Sequence, residues 1–231
     1  MTENQIIYDV LELVRGNHVQ DDVDIDGRQI MFICNNQRHL WIRNEYNKPG
    51  RQIDHHIEQD LGCVKLIEVD AAECCDTSLA TGCIILRTEK QIPNTIEFHK
   101  GTGITRVGPI KKVDVPLSFI PYNRAQFFGD DKYGGVIVQA FLLNGYIYLI
   151  TPTTQSQFLE YINIRGVFET PADAANFSKC DGASCYDPAV DAYPIQGWMY
   201  AYLKEQILMQ LTRSTQTRKD THGDSQDLVK K

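Results

Sequence analysis

Val136-Ile137-Val138-Gln139-Ala140-Phe141-Leu142-Leu143, then Asn144-Gly145, then Tyr146-Ile147-Tyr148-Leu149-Ile150-Thr151 is the stretch that decides the fold. An Asn-Gly pair accepts positive φ at both central positions of a two-residue loop, and that geometry matches the twist of paired strands. The flanks are rich in β-branched and aromatic residues, which suit a pleated, half-buried surface. The stretch predicts a β-hairpin. The same texture, punctuated by Gly and Pro, predicts β structure throughout 104–166, with a further strand at 161–168. Upstream, Val64-Lys65-Leu66-Ile67-Glu68-Val69 alternates and Cys83-Ile84-Ile85-Leu86-Arg87 is a short apolar run; both read as strands.

Outside this block the period changes. Residues 3–15 place Ile6, Ile7, Val10, Leu11 and Val14 at helical spacing, with Thr2 as N-cap and Gly16-Asn17 as the stop. Residues 28–46 are ambiguous. Ile30, Ile33, Cys34 and Trp41 fit one helical face, while Ile30-Met31-Phe32-Ile33 also fits a buried strand. Length and the interleaved Asn35, Asn36, Gln37 and Arg38 favour helix. Lys48-Pro49-Gly50 is a breaker, and 53–61 reads as a short helix. Residues 171–194 read as loop. A last helix is expected over 195–213, burying Ile195, Met199, Tyr202, Leu203, Gln206, Ile207 and Gln210, with Asp191 and Pro194 at its start. The remainder is polar and lacks aromatics, a composition expected to be mobile in the lone subunit.

The expected fold class is therefore α+β, with N-terminal helices and a C-terminal helix packed together around a central, mainly antiparallel β block of sandwich or barrel type. The expected division is a helical part at 1–61, a β-rich domain at 62–170, a loop and helix at 171–213 that rejoin the helical part, and a polar tail at 214–231.

Composition excludes some roles. The chain has 231 residues, 42% of them hydrophobic, enough for a real core. Its formal net charge of -7 repels phosphates and disfavours sequence-specific nucleic-acid binding. The densest basic stretch, Arg213 to Lys219, is thin and is followed by Asp220, Asp224 and Asp227. No apolar run reaches the roughly 20 residues a membrane helix needs, and the N-terminus has no signal-peptide pattern. The expectation is synthesis in a cytoplasm, with no membrane. In that setting most of the seven cysteines read as free, small, buried apolar residues.

Each candidate for chemistry meets a geometric objection. Asp22-x-Asp24-x-Asp26-Gly27 matches half of a calcium loop, but the twelfth position, which needs a bidentate Glu, is Ile33. Asp24 or Asp26 capping the next helix explains it better. Cys74-Cys75 with Cys83, and Cys180 with Cys185, lack the tight spacing of zinc sites. His55-His56 are adjacent, not at the i, i+4 spacing that puts two imidazoles on one helix face. Cys63 and His99 supply types suited to a nucleophile pair, with nothing to bring them together. Gly101-Thr102-Gly103 lacks both phosphate-binding patterns and reads as a turn. The aromatics between Phe119 and Tyr161 fit core and subunit contacts better than a stacking platform. The expectation is no catalytic, cofactor-binding or metal-binding residue and no cofactor.

Several segments together resemble the head-to-tail connector ring proteins of crAss-like, podovirus-type bacteriophages. They are Asp24-Ile25-Asp26-Gly27-Arg28, Asn35-Asn36-Gln37-Arg38-His39-Leu40-Trp41-Ile42-Arg43-Asn44, and Gln59-Asp60-Leu61-Gly62-Cys63. Ile92-Pro93-Asn94-Thr95-Ile96, Arg106-Val107-Gly108, the C-terminal amphipathic helix and its polar tail add to the pattern. The resemblance implies a non-enzymatic virion protein assembled in the host cytoplasm. It would form a homo-oligomeric ring of about twelve subunits closed by rotation. Its partners would be the portal and neighbouring connector or tail proteins, with DNA passing through the lumen unread. It also implies that a terminal tail docks on a neighbour. Candidate assembly contacts are Arg38, Trp41, Arg43, Trp198, Arg213 and Lys219, of which Arg38, Trp41 and Arg43 also suit the helical core. The competing expectations are a small cytoplasmic enzyme, with a deep pocket and a perturbed carboxylate or thiol, and a β-rich ligand-binding module with an exposed aromatic patch.

Overall fold

A computed structural model describes residues 1–14, 25–69, 84–99, 101–111, 116–125, 138–151 and 159–216. Helix α1 (Glu3–Val14) opens with a capping box. The Gln5 N–H donates to Thr2 Oγ1 at 3.4 Å, and Gln5 Oε1 accepts from the Thr2 N–H at 3.0 Å. Helix α2 (Gly27–Tyr46) settles the ambiguous segment as helix. Asp26 caps it, accepting from the Arg28 N–H at 3.3 Å. Its buried face is Ile30, Cys34, Arg38 and Ile42, each one turn apart, joined by Met31 and Glu45, while Ile33 and Trp41 are only half-buried.

Among the described residues eight strands follow: β1 (Gln59–Asp60), β2 (Val64–Glu68), β3 (Ile84–Thr88), β4 (Ile104–Pro109), β5 (Ser118–Phe119), β6 (Gln139–Leu143), β7 (Tyr146–Thr151) and β8 (Tyr161–Gly166). Their order is β1-β8-β2-β3-β7-β6-β5, with β4 also on β8. Every pairing is antiparallel except β5 with β6, so the sheet is mixed, and it curls into a half-barrel. The β6–β7 hairpin turns where the sequence places it, with φ of 50° at Asn144 and 80° at Gly145. Residues 136 and 137 of the expected strand lie outside the described residues.

β1 and β2 act as two halves of one interrupted strand along β8. Gln59 faces Gly166 and Val64 faces Ile162. Between them the Leu61 N–H donates to the Ile164 carbonyl at 2.9 Å. Gly62, at φ 65°, makes the kink; a Cβ there would meet the Ser178 carbonyl oxygen at 2.8 Å. The expected helix at 53–61 is therefore wrong. Only a single turn forms at 55–57, because burying Ile57 and Leu61 and pairing β1 with β8 outweigh local propensity.

One face of the sheet packs Val64, Leu66, Leu86, Ile147, Leu149, Ile162 and Ile164 into the main core. The alternate residues of β7, Tyr148 and Ile150, build a second cluster with Ile85 and Phe141. A short helix α3 (Tyr122–Ala125) borders that cluster through Tyr122 and Ala125, which corrects the expectation of β structure throughout 104–166. Pro121 precedes the turn, and its carbonyl accepts from the Arg124 N–H. The aromatics Phe141 and Tyr148 stack at 5.3 Å in the core, as their β spacing suggests.

Pro171–Asn176 forms a 3₁₀ turn, and α4 (Gly197–Gln216) closes the described fold. The buried face of α4 is Met199, Leu203, Ile207 and Leu211. Tyr202, Gln206 and Gln210 are exposed, against expectation, because α1 and α2 both lie on the Met199 side. Asp191 and Pro194 do not start this helix. Asp191 accepts from the Asp187 N–H at 2.8 Å, and the Pro194 carbonyl is taken by Arg38. The helices do pack together as expected, burying Ile6, Val10, Ile30, Cys34 and Ile207 in one cluster. Ile42, Ile57, Ile96, Val167 and Met199 then join helices to sheet.

Cys63 and Cys180 form a disulfide, which corrects the reading of these two as free thiols. The kink at Gly62 brings Cys63 beside the 178–186 loop, where the Cys63 N–H donates to the Ser178 carbonyl at 3.1 Å. Cys34 is buried and Cys185 half-buried, both as free thiols; Cys74, Cys75 and Cys83 lie outside the described residues.

Candidate functional site

The helix–sheet junction is organised around Arg38. Its side chain is fully buried, and burial works against its charge. Its guanidinium answers by donating to three main-chain carbonyls: Phe168 at 2.7 Å, Pro194 at 3.0 Å and Ile57 at 3.5 Å. These come from the end of the sheet, the approach to α4 and the turn before β1. One side chain thus ties three separate segments to α2, and the fork of an arginine suits it for the task. Of the two roles its sequence context allowed, Arg38 takes the core one.

One turn further along α2, Trp41 meets Trp198 from the start of α4. Their rings lie edge-on, with centroids 4.6 Å apart and planes at 72°. Trp41 is half-buried, but Trp198 is 48% exposed. Gln196 holds the pair in place: its Oε1 accepts from Trp198 Nε1–H, and its Nε2 donates to Asp54 Oδ2. Tyr202, one turn along α4 from Trp198, is also more than half exposed. Sequence periodicity missed Tyr202 by placing it inward.

The other candidate contacts separate. Arg43 is exposed, but a residue two positions from Trp41 faces elsewhere on a helix. It lines a cleft of about 310 Å³ with His39, Pro93 and Glu169, where His39 Nδ1 is 3.7 Å from Glu169 Oε1. Arg213 is in α4 but its side chain lies outside the described residues, as does all of Lys219.

Other sequence candidates find structural uses. Asp26 is a helix cap, while Asp22 and Asp24 lie outside the described residues. Gly103 sits where a Cβ would be 2.6 Å from the Ile96 carbonyl oxygen, so close backbone packing explains it. A cavity of about 440 Å³ lies beside the disulfide and is lined by Asp60, Asn163, Lys179 and Cys185. Burial pushes the thiols of Cys185 and Cys34 up to about 11, the reverse of what an activated nucleophile needs. Of the six candidate contacts, the structure brings together Trp41 and Trp198, one turn along α2 from the buried Arg38.

A family model described as phage tail ring protein 2 matches residues 5–228, nearly the whole chain. No curated protein matches it.

Proposed function

We propose that this chain, which belongs to the crAss-like phage family described as phage tail ring protein 2, builds a closed ring in the head-to-tail connector of the virion. The family is structural, and membership makes the chain a phage ring component. The finer reading is a homo-oligomer of about twelve copies closed by rotation. It extends the DNA channel below the portal and joins capsid to tail, without catalysis. The match over residues 5–228 is the observation that carries this reading. The net charge of -7 supports it, since a lumen that does not grip phosphates lets DNA slide.

Trp41, Trp198 and Tyr202 form the contact to the next copy. Exposed aromatics on a rigid helical pair are the residues that anchor interfaces. Helices α1, α2 and α4 make the helical part that carries this contact, the strands from β1 to β8 the β-rich wall, and residues 217–231 a tail that reaches a neighbouring subunit or ring. Quantitative mass spectrometry of purified phage particles tests the reading. About twelve copies per particle, one closed ring, is the expected result; absence from the particle contradicts it.

A further inference from the structure

His55 and His56 fail as a metal pair on a helix, but the chain between α2 and β1 is not a helix there. Residues 54–57 form one turn, closed by the Ile57 N–H donating to the Asp54 carbonyl at 3.1 Å. A turn lets consecutive side chains converge where a helix or strand sends them apart. The two imidazole centroids lie 4.0 Å apart, with planes tilted by 36°. Asp54 Oδ1 accepts from the His56 N–H at 3.0 Å and lies 3.3 Å from His55 Nδ1. One ligand atom from each of Asp54, His55 and His56 falls within 4.8 Å of the other two.

From this geometry we infer that Asp54, His55 and His56 form a binding site for a divalent transition-metal ion of the imidazole-preferring class, with zinc as the representative. Metal–ligand bonds of about 2.0–2.1 Å to nitrogen and oxygen demand close ligand atoms, and small rotations of two exposed side chains supply the rest. Three protein ligands leave at least one position for water. The turn is preformed: Ile57 is fully buried, and its carbonyl accepts from Arg38. The His56 N–H holds one oxygen of the Asp54 carboxylate within the turn. Gln196 donates to the other carboxylate oxygen and fixes its orientation, as outer-shell partners do in metal sites. Through Gln196 the site is one side chain from Trp198. It goes beyond the ring assignment and stands or falls separately from it, because it is tested on the isolated chain.

The test is titration of the tag-free full-length chain with Zn²⁺ by calorimetry and with Co²⁺ by visible absorption. One equivalent is expected to bind, with a Co²⁺ d–d band showing nitrogen ligation. The double variant His55→Gln/His56→Gln loses both signals. Its far-UV circular dichroism stays unchanged, because both side chains are exposed. Gln196→Ala weakens binding by roughly tenfold, and His39→Gln leaves it unaltered. No saturable binding by the wild-type chain, or binding that survives in the double variant, overturns the inference.

Discussion

Arg38 and Trp41 stand one turn apart on α2, and both are large side chains able to make several contacts. They differ in what completes them. Arg38 has its donors met by the chain's own carbonyls from three segments, so the subunit alone satisfies it. Trp41 is completed on one edge by Trp198, which itself leaves about half of its surface open. Burial and hydrogen-bond satisfaction, not residue type, sort the fold from the contact. The inner face of α2 holds the subunit together, and its rim with α4 stays partly exposed.

The sharpest way to break this contrast is at Arg38. Arg38→Met keeps most of the volume but orphans the carbonyls of Phe168, Pro194 and Ile57. We expect a loss of about 3 kcal/mol or more in denaturant unfolding, since each buried acceptor left unpaired costs about 1–3 kcal/mol. A loss below about 1 kcal/mol means that the junction does not depend on this residue.

The disulfide sharpens the contrast from the sheet side. It links positions 117 residues apart and fastens the 178–186 loop to the kink between β1 and β2. Cys63→Ser/Cys180→Ser is expected to lose about 2–4 kcal/mol, while the Trp41–Trp198 pair, built on the helices, keeps its fluorescence maximum. A shifted maximum in the folded double variant indicates that helix layer and sheet are not independently held.

The smallest effect is expected where α1 meets α4. Asp9 accepts hydrogen bonds from Lys204, at 2.7 Å, and from the Tyr200 hydroxyl, and these hold its carboxyl below its ordinary value. A carboxyl lowered by folding contributes stability above its unfolded value and loses it as pH falls through the lower folded value. Asp9→Asn therefore costs less than about 1 kcal/mol near neutral pH, as partly exposed pairs do. The difference from wild type vanishes at the acid end of a stability–pH profile. A constant difference across that profile removes Asp9 ionisation as its source.

These particulars show how much was legible in the sequence. The β6–β7 hairpin was, because positive φ at Asn144 and Gly145 is a local requirement. Helix α2 was, because its length outweighed a short apolar run. The turn at 55–57 was not, because β1 is a two-residue strand defined only by its partner β8. The buried face of α4 was misjudged because a four-residue series, Met199 to Leu211, competes with a neighbouring one through Tyr202 and Gln206, and only the position of α1 and α2 chooses between them. The disulfide was hidden by the 117 residues between its cysteines. The Trp41–Trp198 pair was legible as two residues and not as one surface, since nothing local says that the start of α4 crosses the end of α2.

Hydroxyl-radical footprinting of Trp198, comparing the free subunit with intact phage particles, tests the central claim most directly. Strong oxidation of Trp198 is expected in the free chain and marked protection in the particle, with Tyr202 protected alongside it. Equal oxidation in both states contradicts it, and shows that the aromatic rim of α2 and α4 is not where one copy meets the next.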